Sequence, residues 1–89
     1  LWLNMLLEDK VRRAAISIPS NLAEGAGRKS TKEFIQFLYI ALGSSSEIET
    51  QLEIAMRLGY MKNQANTFDL LTDIKKLIQG LIRSLKKKV

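Results

Sequence analysis

Apolar side chains recur at helical spacing along most of the chain. The most regular series follows steps of four and three residues: Phe34, Leu38, Ala41, Ser45, Ile48, Leu52 and Ala55. This spacing is typical of a helix that buries one narrow face. Ser30 followed three residues later by Glu33 is a helix-start motif, and Gly59 is a common type of helix end. The pattern predicts a helix over residues 31–59.

A wider apolar face predicts another helix over residues 63–88. Its members are Leu70, Leu71, Ile74, Leu77, Ile78, Leu81, Ile82 and Leu85. Acidic residues lie near its start and basic residues near its end, as the helix dipole favours. Gly80 lies in its interior and disfavours the helix by about 1 kcal/mol relative to alanine. A close approach of a neighbouring helix would explain this glycine.

The third predicted helix covers residues 5–25 and contains Pro19. Proline inside a helix leaves the carbonyl four residues earlier unpaired and kinks the axis. The helix could therefore stop at Ile18 and restart at Ser20 or Asn21. Because Leu22 continues the apolar spacing from Ile18, we expect a kinked but continuous helix. The whole chain, residues 1–89, is then one all-α domain.

Composition excludes much catalytic chemistry. The chain has neither His nor Cys, so it offers no imidazole base, thiolate nucleophile or disulfide framework. Its acidic residues are too scattered for an obvious metal site, and we expect no enzyme activity, metal, cofactor or small-molecule substrate. The longest mostly apolar stretch covers only residues 1–7, too short to span a bilayer. We therefore expect a cytoplasmic protein with no membrane partner.

The net charge of +5 is concentrated in the last third of the chain. Residues 62–89 hold seven bases and two acids, whereas residues 31–61 hold two bases and four acids. Clustered bases suggest contacts with the phosphates of RNA or DNA. The candidate residues are Arg12, Arg13, Arg28, Lys29, Lys75, Lys76, Arg83, Lys86 and Lys87.

Two alternatives to nucleic-acid binding remain open for these bases. Lysines near a helix C-terminus can complement its dipole and keep the protein soluble. Arg12 and Arg13 can pair with acids one turn earlier. In addition, the few aromatic residues, Trp2, Tyr39 and Tyr60, do not interleave with the basic residues. The sequence therefore does not support a surface for base stacking.

The helix over 31–59 has a second apolar face in its first half. Its candidate interface residues are Ile35, Phe37, Tyr39 and Leu42. A helix that is apolar on nearly all sides must be covered by more than one neighbour. Self-association would cover this face, and so would the other helices of the same chain; the sequence leaves both open.

Several segments resemble one known family. Residues 12–25 are RRAAISIPSNLAEG, and residues 33–41 are EFIQFLYIA. Together with EIETQL at 47–52, LGY at 58–60 and GLIRSL at 80–85, they resemble the bacterial four-helix-bundle proteins encoded in intervening sequences of 23S rRNA genes. The resemblance extends over residues 7–85.

The resemblance implies an antiparallel up-and-down four-helix bundle that assembles with itself, often as a homopentameric ring. Related proteins of retroelements are basic rings that work with RNA, so the resemblance also implies an RNA-linked role. The family has a full helix before the region equivalent to Leu7, whereas here only residues 1–6 precede it. We therefore expect helix one to be largely missing from this chain. The alternative function is a protein–protein interaction scaffold with no nucleic-acid role.

Overall fold

Three α-helices make up the described part of the protein. A computed structural model describes residues 2–60 and 65–88, with the backbone alone for residues 2–4. Helix α1 spans Trp2–Ala26, α2 spans Thr31–Arg57 and α3 spans Ala65–Lys86. These residues contain no strand, so the all-α prediction is confirmed. The three predicted helices are present with bounds shifted by at most three residues, while residues 63 and 64 lie outside the described residues.

Helix α2 lies between the other two helices. In the described residues, α1 and α3 both pack on α2, but no Cα atom of α1 lies within 8 Å of one in α3. The hydroxyl oxygens of Ser17 and Ser44 lie 2.9 Å apart, and Gly25 of α1 contacts Phe37 of α2. Residue numbers thus rise along α1 as they fall along α2, so these two helices are antiparallel.

Helix α3 is antiparallel to α2 as well. Lys75 donates a hydrogen bond of 2.7 Å to Glu49, and the ammonium of Lys86 lies 5.2 Å from the ring centroid of Tyr39. Helices α1 and α3 therefore run parallel to each other on opposite sides of α2. The resulting molecule is elongated and flat, with extents of 47 × 22 × 13 Å.

The core follows the predicted apolar seam of α2, with a change at its start. Leu38, Ala41, Ser45, Ile48, Leu52 and Ala55 are all buried, as predicted. Phe34 is only partly buried, and Ile35 is buried in its place. Ile35 is 8% exposed, which corrects its assignment to a self-association surface. Its side chain already belongs to the core of a single chain.

The predicted ends of α2 are confirmed by its capping bonds. The hydroxyl of Ser30 accepts a hydrogen bond of 3.3 Å from the backbone N–H of Glu33. At the other end, Gly59 has a φ of 78°, a left-handed conformation that glycine adopts without strain. The N–H of Tyr60 then donates to the carbonyl of Ala55 at 2.9 Å, which completes a Schellman cap.

Helix α1 continues through Pro19 without a break, which confirms the predicted continuity; the kink stays a prediction. The side-chain amide of Asn21 donates to the carbonyl and the hydroxyl of Ser17, at 2.8 and 2.9 Å. These two bonds span the proline and add support where one backbone bond is lost. The Ser17 hydroxyl also reaches Ser44, so the same group ties the proline turn to α2.

The close helix approach expected at Gly80 is not found among the described residues. A Cβ atom built at Gly80 has only the Arg83 guanidinium nearby, at 3.8 Å. We therefore expect Gly80→Ala to raise the free energy of unfolding by about 1 kcal/mol in urea denaturation, because alanine favours the helix. Gly43→Ala should act alike, since nothing lies within 4 Å of a Cβ there. A loss of stability in either variant would contradict this expectation.

Candidate nucleic-acid interface

The antiparallel packing gathers positive charge at one end of the molecule. We define the basic end as residues 19–45 and 78–88, which contain the last part of α1, the following turn, the first half of α2 and the last part of α3. It holds seven bases and two acids, a net charge of +5. The other described residues hold six bases and seven acids, a net charge of −1. The described part is therefore strongly polarised along its long axis.

The distance between the two ends of the molecule is large compared with the range of electrostatic forces in solution. The long axis measures 47 Å, whereas the Debye length at physiological salt is about 8 Å. Exposed charges at the two ends are thus screened from each other. An anion that approaches the basic end interacts with its local charge, not with the average over the chain.

The structure brings only part of the predicted base set together. Arg28, Lys29, Arg83, Lys86 and Lys87 lie at the basic end, whereas Arg12, Arg13, Lys75 and Lys76 lie in the other half. Two of the latter are paired: Lys75 Nζ lies 2.7 Å from Glu49, and Arg13 Nε lies 3.0 Å from Asp9. The first of these pairs links α3 to α2.

The two acids at the basic end both lie beside Arg28. Its guanidinium is 2.7 Å from a carboxylate oxygen of Glu24 and 4.0 Å from one of Glu33. It also lies 5.0 Å from the ring centroid of Phe37. Arg28 is thus held in place by its neighbours. The other six bases at this end form no ion pair with a carboxylate of the described residues. These six bases are Lys29, Lys32, Arg83, Lys86, Lys87 and Lys88.

Two of these six bases, Lys32 and Lys88, are absent from the sequence-based set. Lys32 stands alone in a mostly acidic segment, and its relevance arises only when the start of α2 is placed near the end of α3. The signal available in the sequence was the alternation of helices with short connections. Short connections favour antiparallel neighbours, which bring alternate helix ends together.

A pocket of about 340 Å³ opens between α2 and α3 at the basic end. It is lined by Tyr39, Leu42, Gln79, Ile82, Arg83 and Lys86. The Tyr39 ring is beside the Lys86 ammonium, so the expectation that no aromatic residue accompanies the bases is wrong for Tyr39. The two residues are distant in sequence and meet only because α2 and α3 are antiparallel. We call this site the Tyr39 pocket.

The other residues predicted for self-association have mixed surroundings. Phe37 is partly covered by Gly25 and Arg28, and Leu42 lines the Tyr39 pocket. Tyr39 is 46% exposed and the adjacent Ile40 is 50% exposed. Within the predicted set, only Tyr39 therefore presents a large exposed surface.

An apolar groove runs over α2 between α1 and α3. Its volume is about 450 Å³, and α1 contributes Val11, Ala15, Ile18 and Pro19 to its wall. Leu70, Leu71 and Ile74 form much of the opposite wall, with Ile48 and Leu52 between the two. Further along the apolar face of α3, Leu77 is 75% exposed. We call the 450 Å³ cavity the apolar groove.

Neither a metal centre nor a membrane span is found in the described part of the chain. Residues 2–60 and 65–88 contain no group of three or more acidic side chains placed to hold a metal ion. None of α1, α2 and α3 combines the length and the apolarity required to cross a bilayer.

The described residues form an all-helical fold whose net positive charge lies at one end. The family model described as 23S rRNA-intervening sequence protein matches residues 4–83. The chain belongs to this family, as the resemblance of its segments indicated. Among curated proteins, none matches the chain significantly.

Proposed function

We propose that this protein is a non-enzymatic, cytoplasmic nucleic-acid-binding protein that contacts RNA or DNA phosphates with its basic end. The observation that carries the proposal is the partition of charge, with seven bases and two acids at one end. Six of those bases have no carboxylate partner among the described residues. Contacts of this kind supply affinity but carry little information about base sequence.

We assign the phosphate contacts to the bases outside the Arg28 cluster: Lys29, Lys32, Arg83, Lys86, Lys87 and Lys88. Arg28 is already surrounded by Glu24, Glu33 and Phe37, so its role is to order the turn between α1 and α2. Arg12 and Arg13 lie near the middle of α1, and Lys75 and Lys76 lie near the middle of α3, so all four are outside the basic end and should contribute less to binding.

Salt dependence tests this proposal directly. Fluorescence anisotropy with a labelled 20-nucleotide RNA and a 20-base-pair DNA would give affinities between 50 and 300 mM KCl. Each phosphate contact lowers log affinity by about 0.7 to 0.9 per unit of log salt, so six contacts predict a slope of roughly −4 to −5. A wild-type protein that binds neither probe even near 50 mM salt would overturn the proposal.

We infer that the apolar groove binds a fourth helix, which would complete a four-helix bundle. Helices α1 and α3 are parallel and flank α2. In an up-and-down four-helix bundle, a fourth helix antiparallel to both would lie in the groove between them. The 60% exposure of Leu70 and the 75% exposure of Leu77 support this inference, because exposed leucines on a continuous apolar face need a partner. The family resemblance supports it independently.

The groove also supports the second candidate function, a scaffold that binds an amphipathic helix from another chain. A second copy could supply that helix, which would agree with the homo-oligomer, and in particular the homopentamer, that the resemblance implies. Sedimentation equilibrium of the wild type and of Leu70→Asp would test this, because Leu70 lines the groove and is 60% exposed. We expect the assembly mass to fall toward that of a monomer in the variant, whereas a wild-type monomer at tens of micromolar would contradict self-association.

A further inference from the structure

The Tyr39 pocket combines side chains that suit one nucleotide. It is lined by the cations of Arg83 and Lys86 and by the amide of Gln79, and no carboxylate of the described residues lines it. Tyr39 supplies an aromatic ring that is 46% exposed. The remaining lining residues, Leu42 and Ile82, are apolar. A flat ligand with an attached anion matches this combination of an aromatic ring, apolar side chains and cations.

The size of the pocket agrees with a ligand of that kind. Its volume is about 340 Å³, within the roughly 300–1,000 Å³ typical of small-molecule sites. A base in a duplex is paired and stacked, and its extrusion costs a few kcal/mol. A base in a single strand can enter at much lower cost, and single-strand binding proteins generally combine a positive surface with exposed aromatic rings.

We propose that the Tyr39 pocket binds one nucleotide of a single-stranded nucleic acid. The base stacks on the ring of Tyr39, while the adjoining phosphate is held by Arg83 and Lys86. This inference rests on the proposed function, because it assigns a preferred strand form to the same basic end. It adds that the protein distinguishes single strands from duplexes by stacking, a distinction that phosphate contacts do not provide.

The present position of Lys86 is compatible with such a ligand. Its ammonium lies 5.2 Å from the centroid of the Tyr39 ring. Exposed cation–π contacts are weaker than the stacking of a base on an aromatic side chain. The base can therefore displace the ammonium from the ring, and the freed lysine can follow the phosphate that arrives with the base.

A strand-preference assay tests the proposal with the intact chain. The probes are a labelled 20-nucleotide RNA of mixed sequence and the same strand annealed to its complement. We expect Tyr39→Ala to weaken binding of the single strand by about tenfold or more and binding of the duplex by less than about twofold. The salt slope should not change, because tyrosine contributes no charge.

Two control variants separate stacking from general damage. Tyr39→Phe should keep nearly all of the single-strand affinity, since phenylalanine also stacks on bases. Ile40→Ala should leave both affinities unchanged, because this neighbour is equally exposed, at 50%, but does not line the pocket. Circular dichroism should show the same helix content in all three variants.

Photo-crosslinking at saturating protein concentration gives a second readout, which reports the position of the bound base. An RNA that contains 5-iodouracil should crosslink to Tyr39, identified by mass spectrometry in the tryptic peptide 33–57. If single strands bind but Tyr39→Ala has no effect and no crosslink forms in that peptide, the pocket proposal is wrong while binding by the basic end stands. If the wild type binds neither strand form, both proposals fail.

Discussion

Reversing three charges at the basic end should nearly abolish the binding of RNA and DNA. We expect the triple variant Arg83→Glu, Lys86→Glu and Lys87→Glu to lose affinity by about 10³-fold near physiological salt. Each lost phosphate contact removes a counterion-release contribution, and each new carboxylate adds repulsion. The salt slope should become shallower by about one unit for each lost contact. Anisotropy titrations at several KCl concentrations would measure both quantities.

A variant with the same change in net charge shows whether the position of the charges or the total charge controls the affinity for nucleic acid. The variant Lys10→Glu, Arg12→Glu and Lys76→Glu changes the net charge by the same amount but acts outside the basic end. None of these three residues forms an ion pair with a carboxylate of the described residues, so no such contact is broken. We expect less than about a threefold loss of affinity. Equal losses in the two variants would show that net charge alone controls binding and would contradict a localised site.

The helices were predictable from the sequence because burial follows helical periodicity. In α2, six members of the apolar series are buried as predicted, and the exception lies at the first turns. A straight helix has 3.6 residues per turn, so a series with a period of 3.5 drifts around the helix by about 20° per heptad. From Leu38 to Phe34 this drift amounts to only about 10°, whereas Phe34 and Ile35 lie about 100° apart on the helix. The burial of Ile35 therefore depends on how α2 packs against its neighbours and not on periodicity.

The candidate site was only partly predictable, because it depends on how helices pair. The bases of α3 were visible as a cluster in the sequence, but Lys32 and Tyr39 become relevant only through the antiparallel alignment of α2 and α3. Conversely, Lys75 looked equivalent to Lys76, yet it is directed toward Glu49 on α2. Periodicity locates the faces of each helix, whereas the partner of each face is a property of the tertiary fold.

A methyl group added at Gly25 should destabilise the protein strongly, in contrast to the gain expected at Gly80. A Cβ atom at Gly25 would lie 2.7 Å from the Cβ of Phe37 and 2.8 Å from the Cδ1 of Phe34. The ring of Phe34 can rotate, but the Cβ of Phe37 is attached directly to the backbone of α2. The clash therefore forces α1 and α2 apart. Overpacking of this kind lowers the free energy of unfolding by roughly 1–3 kcal/mol.

Gly25→Ala and Gly43→Ala are expected to change the stability of the protein in opposite directions. Helix propensity alone would make Gly25→Ala stabilising by about 1 kcal/mol, as at Gly43, where a Cβ meets nothing within 4 Å. We expect the overpacking cost to dominate and the Tm to fall by about 5–15 °C, since a small domain shifts by about 4–8 °C per kcal/mol. Thermal denaturation followed by circular dichroism would compare Gly25→Ala with Gly43→Ala. A rise in Tm for both variants would show that the tight contact between α1 and α2 is absent in solution.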